Sequence, residues 1–165
     1  MFQLKPLSKE ALPRALEKAE RYRLLNEAAE AESICLDVLA VEPDNQKALV
    51  TLLLARTDRF AEGSGSLETA REVLPRLEDA YERAYYAGII CERRAGAHLA
   101  HGVPGSHFMA YALLREAMEH YERAEALRPP GNDDALLRWN TCARTLNAKP
   151  SLRPRDEERV EQPLE

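Results

Sequence analysis

"AESICLDVLAVEP" at 31–43 and "AMEHYERAEALRP" at 117–129 share one spacing of unlike residues: an alanine, a bulkier buried-type residue four positions on, and a proline eight positions beyond that. Positions four apart lie on one face of a helix, so a small residue followed by a larger one describes a packed stripe. Proline has no amide hydrogen to continue the helical ladder and halts it. The chain therefore builds one helix ending twice, at Ala31, Cys35 and Pro43 and again at Ala117, Tyr121 and Pro129. Composition points the same way. Leu, Ala, Glu and Arg dominate, β-branched residues are few, and Gly and Pro gather between periodic stretches, as long helices joined by short turns require. An all-α fold follows.

The order Ala, aromatic or similar, then Pro resembles the second half of a tetratricopeptide repeat of about 34 residues. That resemblance implies an α-α superhelix, a solenoid of about three helix pairs with a C-terminal capping helix over residues 1–147. Pro43 and Pro129 stand two repeat lengths apart with a remainder of about 18 residues. The remainder is absorbed by insertions at "EGSGS" and at 96–114, and by a shortening around Pro75. The third pair is the deviant one, with both helices extended.

Along the chain, a first helix is expected from Ser8 or Pro13 to about Leu25, since serine caps amide groups and proline is tolerated in a first turn. A second ends at Pro43. A third carries Leu49, Leu52, Leu53 and Leu54 and stops at "DRFAEGSGS", whose glycines read as a flexible connection. The fourth, "LETAREVL", meets Pro75 early, which predicts a short helix or a kink. A long fifth helix from about Leu77 places Ala84, Gly88 and Cys91 on one face, with Gly88 where close helix approach is wanted. After "HGVPGS" come the sixth helix and a seventh, "DDALLRWNTCARTL", aligning Ala135, Trp139 and Cys142. Residues 148–165 are charged, proline-interrupted and poor in apolar side chains, and are expected to form a flexible tail.

Tetratricopeptide proteins hold partner segments on the concave surface lined by their first helices. Carried over position by position, the resemblance implies a partner-binding face of Leu16, Glu20, Arg23, Val50, Leu54, Thr57, Tyr85, Ile89, Glu92, Leu136 and Asn140. Most are apolar or aromatic, which suits an apolar or amphipathic segment anchored at Tyr85 and Ile89. The alternative is that a stack this short leaves no groove and these residues are core. A branch of the family that clamps a terminal carboxylate needs paired Lys and Asn, yet Leu16, Glu20, Val50 and Leu54 stand there, so that use is disfavoured. The expected function is a non-catalytic scaffold for a protein or peptide partner. A homodimer through the Trp139 end is an alternative, although Trp139 shares a face with Ala135 and Cys142 and is expected to pack inside.

No catalytic or cofactor motif competes. There is no G-x-S-x-G, G-x-x-x-x-G-K or H-E-x-x-H, and Glu10 with Glu17, Glu27 with Glu30 and Asp133 with Asp134 read as solvated helix charges. His98, His101 and His107 flank "GVPGS" and His120 follows on the sixth helix, the arrangement behind a less favoured metal-binding alternative. His98 and His101 have no carboxylate or cysteine at ligand spacing beside them, so no metal ligands are expected. Cys35, Cys91 and Cys142 are odd in number and widely spaced, which suits reduced, buried packing residues rather than a disulfide framework. The net charge of −5 disfavours nucleic acid. The lack of a signal-peptide core or a membrane-length apolar run predicts a cytoplasmic protein without a membrane partner.

Overall fold

The computed structural model describes residues 1–155 and is all-helical, with no strand among them. They divide into two compact units, Met1–Asp79 and a second beginning at Ala80.

In the first unit a 3-10 turn, Lys9–Ala11, leads into α1 (Leu12–Leu24), with Pro13 in its first turn. The helix ends in a left-handed cap. Asn26 adopts φ 60°, the Asn26 amide donates to the Arg23 carbonyl, and the Glu27 amide reaches back to Tyr22 at 2.9 Å, so the orphan carbonyls are used. This compact cap brings α2 (Ala28–Val41) back against α1, and the four residues 42–45 turn α3 (Gln46–Asp58) onto α2. Ala31 and Cys35 are fully buried, as their spacing predicts.

Asn45 begins α3, its Oδ1 accepting the Ala48 amide at 2.9 Å. Asn45→Ala is expected to destabilise this unit by about 1 kcal/mol, while Asn45→Asp stays near wild type; urea denaturation followed by circular dichroism checks both.

The glycine-rich segment is more than a loose connection. The amides of Ser64 and Gly65 both donate to the Arg59 carbonyl, and a Cβ at Gly65 would stand 2.7 Å from the Phe60 ring. The early proline shortens the fourth helix: α4 is only Leu67–Arg71, followed by a 3-10 turn at Leu74–Arg76. Leu77, expected to open the next helix, is instead extended and buried. Its surroundings are tied to the start of α3, where Arg76 Nη2 donates to the Pro43 carbonyl at 2.6 Å and the Glu78 amide to Gln46 Oε1 at 2.9 Å.

The second unit contains α5 (Ala80–His101), α6 (Ser106–Leu127) and α7 (Asp134–Ala148). At 22 residues each, α5 and α6 match the expected extension of this pair. Gly102 and Gly105, with φ of 62° and 81°, make the tight reversal between them. Gly88 lies against Tyr121, where a Cβ would run into the ring. Tyr121 is fully buried, and α6 in turn packs on α7.

Of the expected tail, residues 156–165 lie outside the described residues. Among the described residues, the segment after α7 carries a buried side chain, Leu152, at 5% exposure, and the Arg155 guanidinium sits 5.9 Å from the centre of the Phe108 ring. No helix among the described residues is long and apolar enough to cross a membrane.

Candidate functional site

The eleven residues of the expected binding face separate into distinct environments. In the first unit, α1 and α3 pack on each other as well as on α2. Two ion pairs join them: Arg23 Nε to Asp58 Oδ2 at 2.7 Å, with Nη2 reaching Oδ1 at 3.3 Å, and Lys47 Nζ to Glu20 Oε1 at 3.3 Å. Glu20 is exposed, and Val50 and Leu54 are half-buried. Leu16, at 6% exposure, and Thr57, at 2%, belong to the interior, and Thr57 Oγ1 donates to the Leu54 carbonyl at 2.8 Å. The α1–α3 face thus keeps Glu20, Arg23, Val50 and Leu54 at or near the surface and withdraws Leu16 and Thr57.

In the second unit, Ile89 is 3% exposed, so the expected anchor presents almost no surface to a partner. Tyr85 is half-buried in an aromatic cluster, 5.7 Å from Tyr81, 5.2 Å from Tyr86 and 6.0 Å from Tyr121 between ring centres. Glu92 works as an internal acceptor. It takes the Tyr121 hydroxyl at 2.5 Å and Arg138 Nη1 at 3.2 Å, joining α5, α6 and α7. Burial, then the charge and hydrogen bond of Glu92, raise the Tyr121 phenol above its ordinary range, so it is a permanent donor. Leu136 and Asn140 are half-buried on α7. Trp139 is also half-buried, with its indole N–H donating to Glu122 Oε1 at 3.0 Å.

All three cysteines are buried free thiols. Desolvation pushes Cys35 up to about 12, with Arg23 opposing and Glu32 and Glu20 adding to it. Burial and then Glu92 push Cys142 to about 12 as well. The thiolate is the reactive form, so three pH units of suppression slow labelling of Cys35 and Cys142 at pH 8 about a thousandfold relative to the same thiols in denaturant. Disulfide-exchange titration with and without guanidinium measures this. The same shift has a thermodynamic sign. Unfolded thiols ionise near 9 while the folded ones stay protonated, so the unfolded chain binds fewer protons and stability falls as pH rises from about 9 toward 12.

Among the described residues, His98, His101 and His107 form no three-ligand group. Burial, then Arg94 and His101, lower the His98 imidazole, and His101 Nδ1 lies 2.7 Å from the Ala97 carbonyl. A different set comes together on α5 and α6: Cys91, Glu116 and His120 place their sulfur, oxygen and nitrogen ligand atoms within 4.8 Å of one another. Sequence reading missed this set. Glu116 and His120 are a visible one-turn pair, but Cys91 joins them only through the packing of α5 on α6.

Compared with family models, curated proteins and solved structures, the chain gives no match to any of them.

Proposed function

We propose that the chain is a non-catalytic, tetratricopeptide-like interaction scaffold whose α1–α3 face receives an apolar or amphipathic segment of a partner protein. One observation carries this reading. α1 and α3 lie side by side with α2 against both, a three-helix packing that supports reading Ala31, Cys35 and Pro43 as part of a repeat. The face they share sets Val50 and Leu54 among the charged pairs Arg23–Asp58 and Glu20–Lys47. An apolar strip rimmed by charges of both signs fits the apolar side of an amphipathic helix, with polar rim contacts fixing its register.

Affinity capture from the native host with the full chain, followed by synthesis of the bound segment, tests the proposal. Calorimetry is expected to show binding that Leu54→Asp weakens at least about tenfold, the cost of losing one well-packed apolar anchor. Glu20→Arg, at an exposed position, alters the salt dependence of the same binding. Undiminished affinity in both folded variants overturns the reading.

A further inference from the structure

We propose that Cys91, Glu116 and His120 are the protein ligands of one divalent ion of the zinc class, held between α5 and α6 with a fourth position open to water. The proposal begins with helix geometry. Glu116 and His120 are one turn apart on α6, so their side chains emerge on the same face, and His120 Nε2 already lies 3.6 Å from Glu116 Oε1. Tetrahedral coordination at zinc bond lengths places neighbouring ligand atoms about 3.4–3.7 Å apart. That pair therefore stands at ligand separation as it is. The Cys91 sulfur completes a group within 4.8 Å, a spread that side-chain rotation of about 1 Å closes onto a metal.

The packing that surrounds the three holds them in place. On α5, Gly88 precedes Cys91 by one turn and touches Tyr121, the residue beside His120 on α6. The two helices cannot slide without breaking this contact, because Gly88 admits only the flat ring and Tyr121 is fully buried. Ala95 on α5 and Ala117 and Ala124 on α6 are fully buried as well. Cys91 is thus fixed opposite the gap between Glu116 and His120 by residues that ligate nothing, the kind of rigid support a metal site needs. Access runs from the outside inward: Glu116 is partly exposed, His120 less so, and Cys91 is 1% exposed at the base.

Ligand chemistry selects the ion. One sulfur, one imidazole nitrogen and one carboxylate oxygen suit a borderline-soft, four-coordinate metal, whereas calcium and magnesium demand oxygen alone. On binding, the Cys91 thiol gives its proton to solvent, and any proton on His120 leaves as well. The thiolate and carboxylate then balance the two positive charges of the ion without a redox step.

Cobalt(II) titration of the full chain, stripped with chelator and kept reduced with a phosphine, reads the site directly. One equivalent is expected to produce a thiolate-to-cobalt charge-transfer band and the intense visible bands of four-coordinate cobalt, and zinc bleaches both. His120→Gln, at a partly exposed position, is expected to stay folded by circular dichroism and to lose about 100-fold in cobalt affinity. Glu116→Gln weakens binding less but retains the band. Cys91→Ser removes the band, while Cys35→Ser and Cys142→Ser preserve it. Zinc raises the melting temperature of the wild-type chain and, at the same concentration, raises that of His120→Gln by less. The proposal is overturned by absence of the band in the wild-type chain, by its survival in Cys91→Ser, by unchanged affinity in His120→Gln, or by its loss in a His98→Gln/His101→Gln variant with the three ligands intact.

Discussion

Tyr121→Ala is expected to cost about 3–5 kcal/mol, the largest single loss available in the second unit, because it empties a fully buried ring site between helices. The partner of that ring makes the prediction sharper. Gly88→Ala drives a methyl group into Tyr121 and is expected to cost about 1–3 kcal/mol in the wild-type chain. With the ring removed, the same methyl meets space and alanine's higher helix propensity returns up to about 1 kcal/mol. Gly88→Ala therefore changes from harmful to neutral or helpful in the Tyr121→Ala background, a coupling a double-mutant cycle in urea resolves. Equal cost in both backgrounds would place the ring elsewhere. Tyr121→Phe isolates the hydroxyl: Glu92 keeps Arg138 but loses its short neutral donor, at about 1–2 kcal/mol.

The second large effect is expected at Glu32. Its two carboxylate oxygens take Arg56 Nε at 3.0 Å and Arg59 Nη1 at 2.8 Å, and Arg56 also reaches the Thr69 carbonyl at 2.5 Å. One acid on α2 thereby joins α3, the turn after it and the start of α4. Glu32→Ala leaves Arg56, 17% exposed, with only the more distant Glu72 carboxylate at 4.0 Å and takes from the partly exposed Arg59 its Glu32 partner. The loss is on the order of 3 kcal/mol, beyond that of an exposed ion pair, because the cost is that of stranding charge rather than of losing an attraction. Glu32→Gln recovers part of it through hydrogen bonding. Thermal melts at low and high salt distinguish the cases: added salt narrows the gap between Glu32→Ala and wild type by screening the two arginines.

Local signals marked the helices well. Pro13, Pro43 and Pro75 fix starts and stops through covalent geometry, an effect that acts within a few residues, and the structure places elements accordingly. The stripe of Ala31 and Cys35, and that of Ala117 and Tyr121, are buried as their spacing requires. Leu77 departs from the expected helix start: its backbone is extended and its side chain is buried.

What remained hidden was pairing between distant positions. Glu92 reads as a residue of the partner-binding face until Tyr121 and Arg138 arrive from other helices. Ile89 looks like an anchor for a partner until the fold buries it. Cys91, Glu116 and His120 converge only once Gly88 and Tyr121 set the helix register. Periodicity reveals which side of a helix is packed, but the identity of the facing residue depends on a sliding coordinate that no local pattern encodes.

The position of Leu152 changes where this molecule can be cut. A shortened version ending at Ala148 would look well chosen by its chemistry, stopping with the last helix, yet it would strip away Leu152, an apolar side chain the fold keeps out of water. Such a fragment should become sticky, and the shortest well-behaved version should finish beyond residue 152.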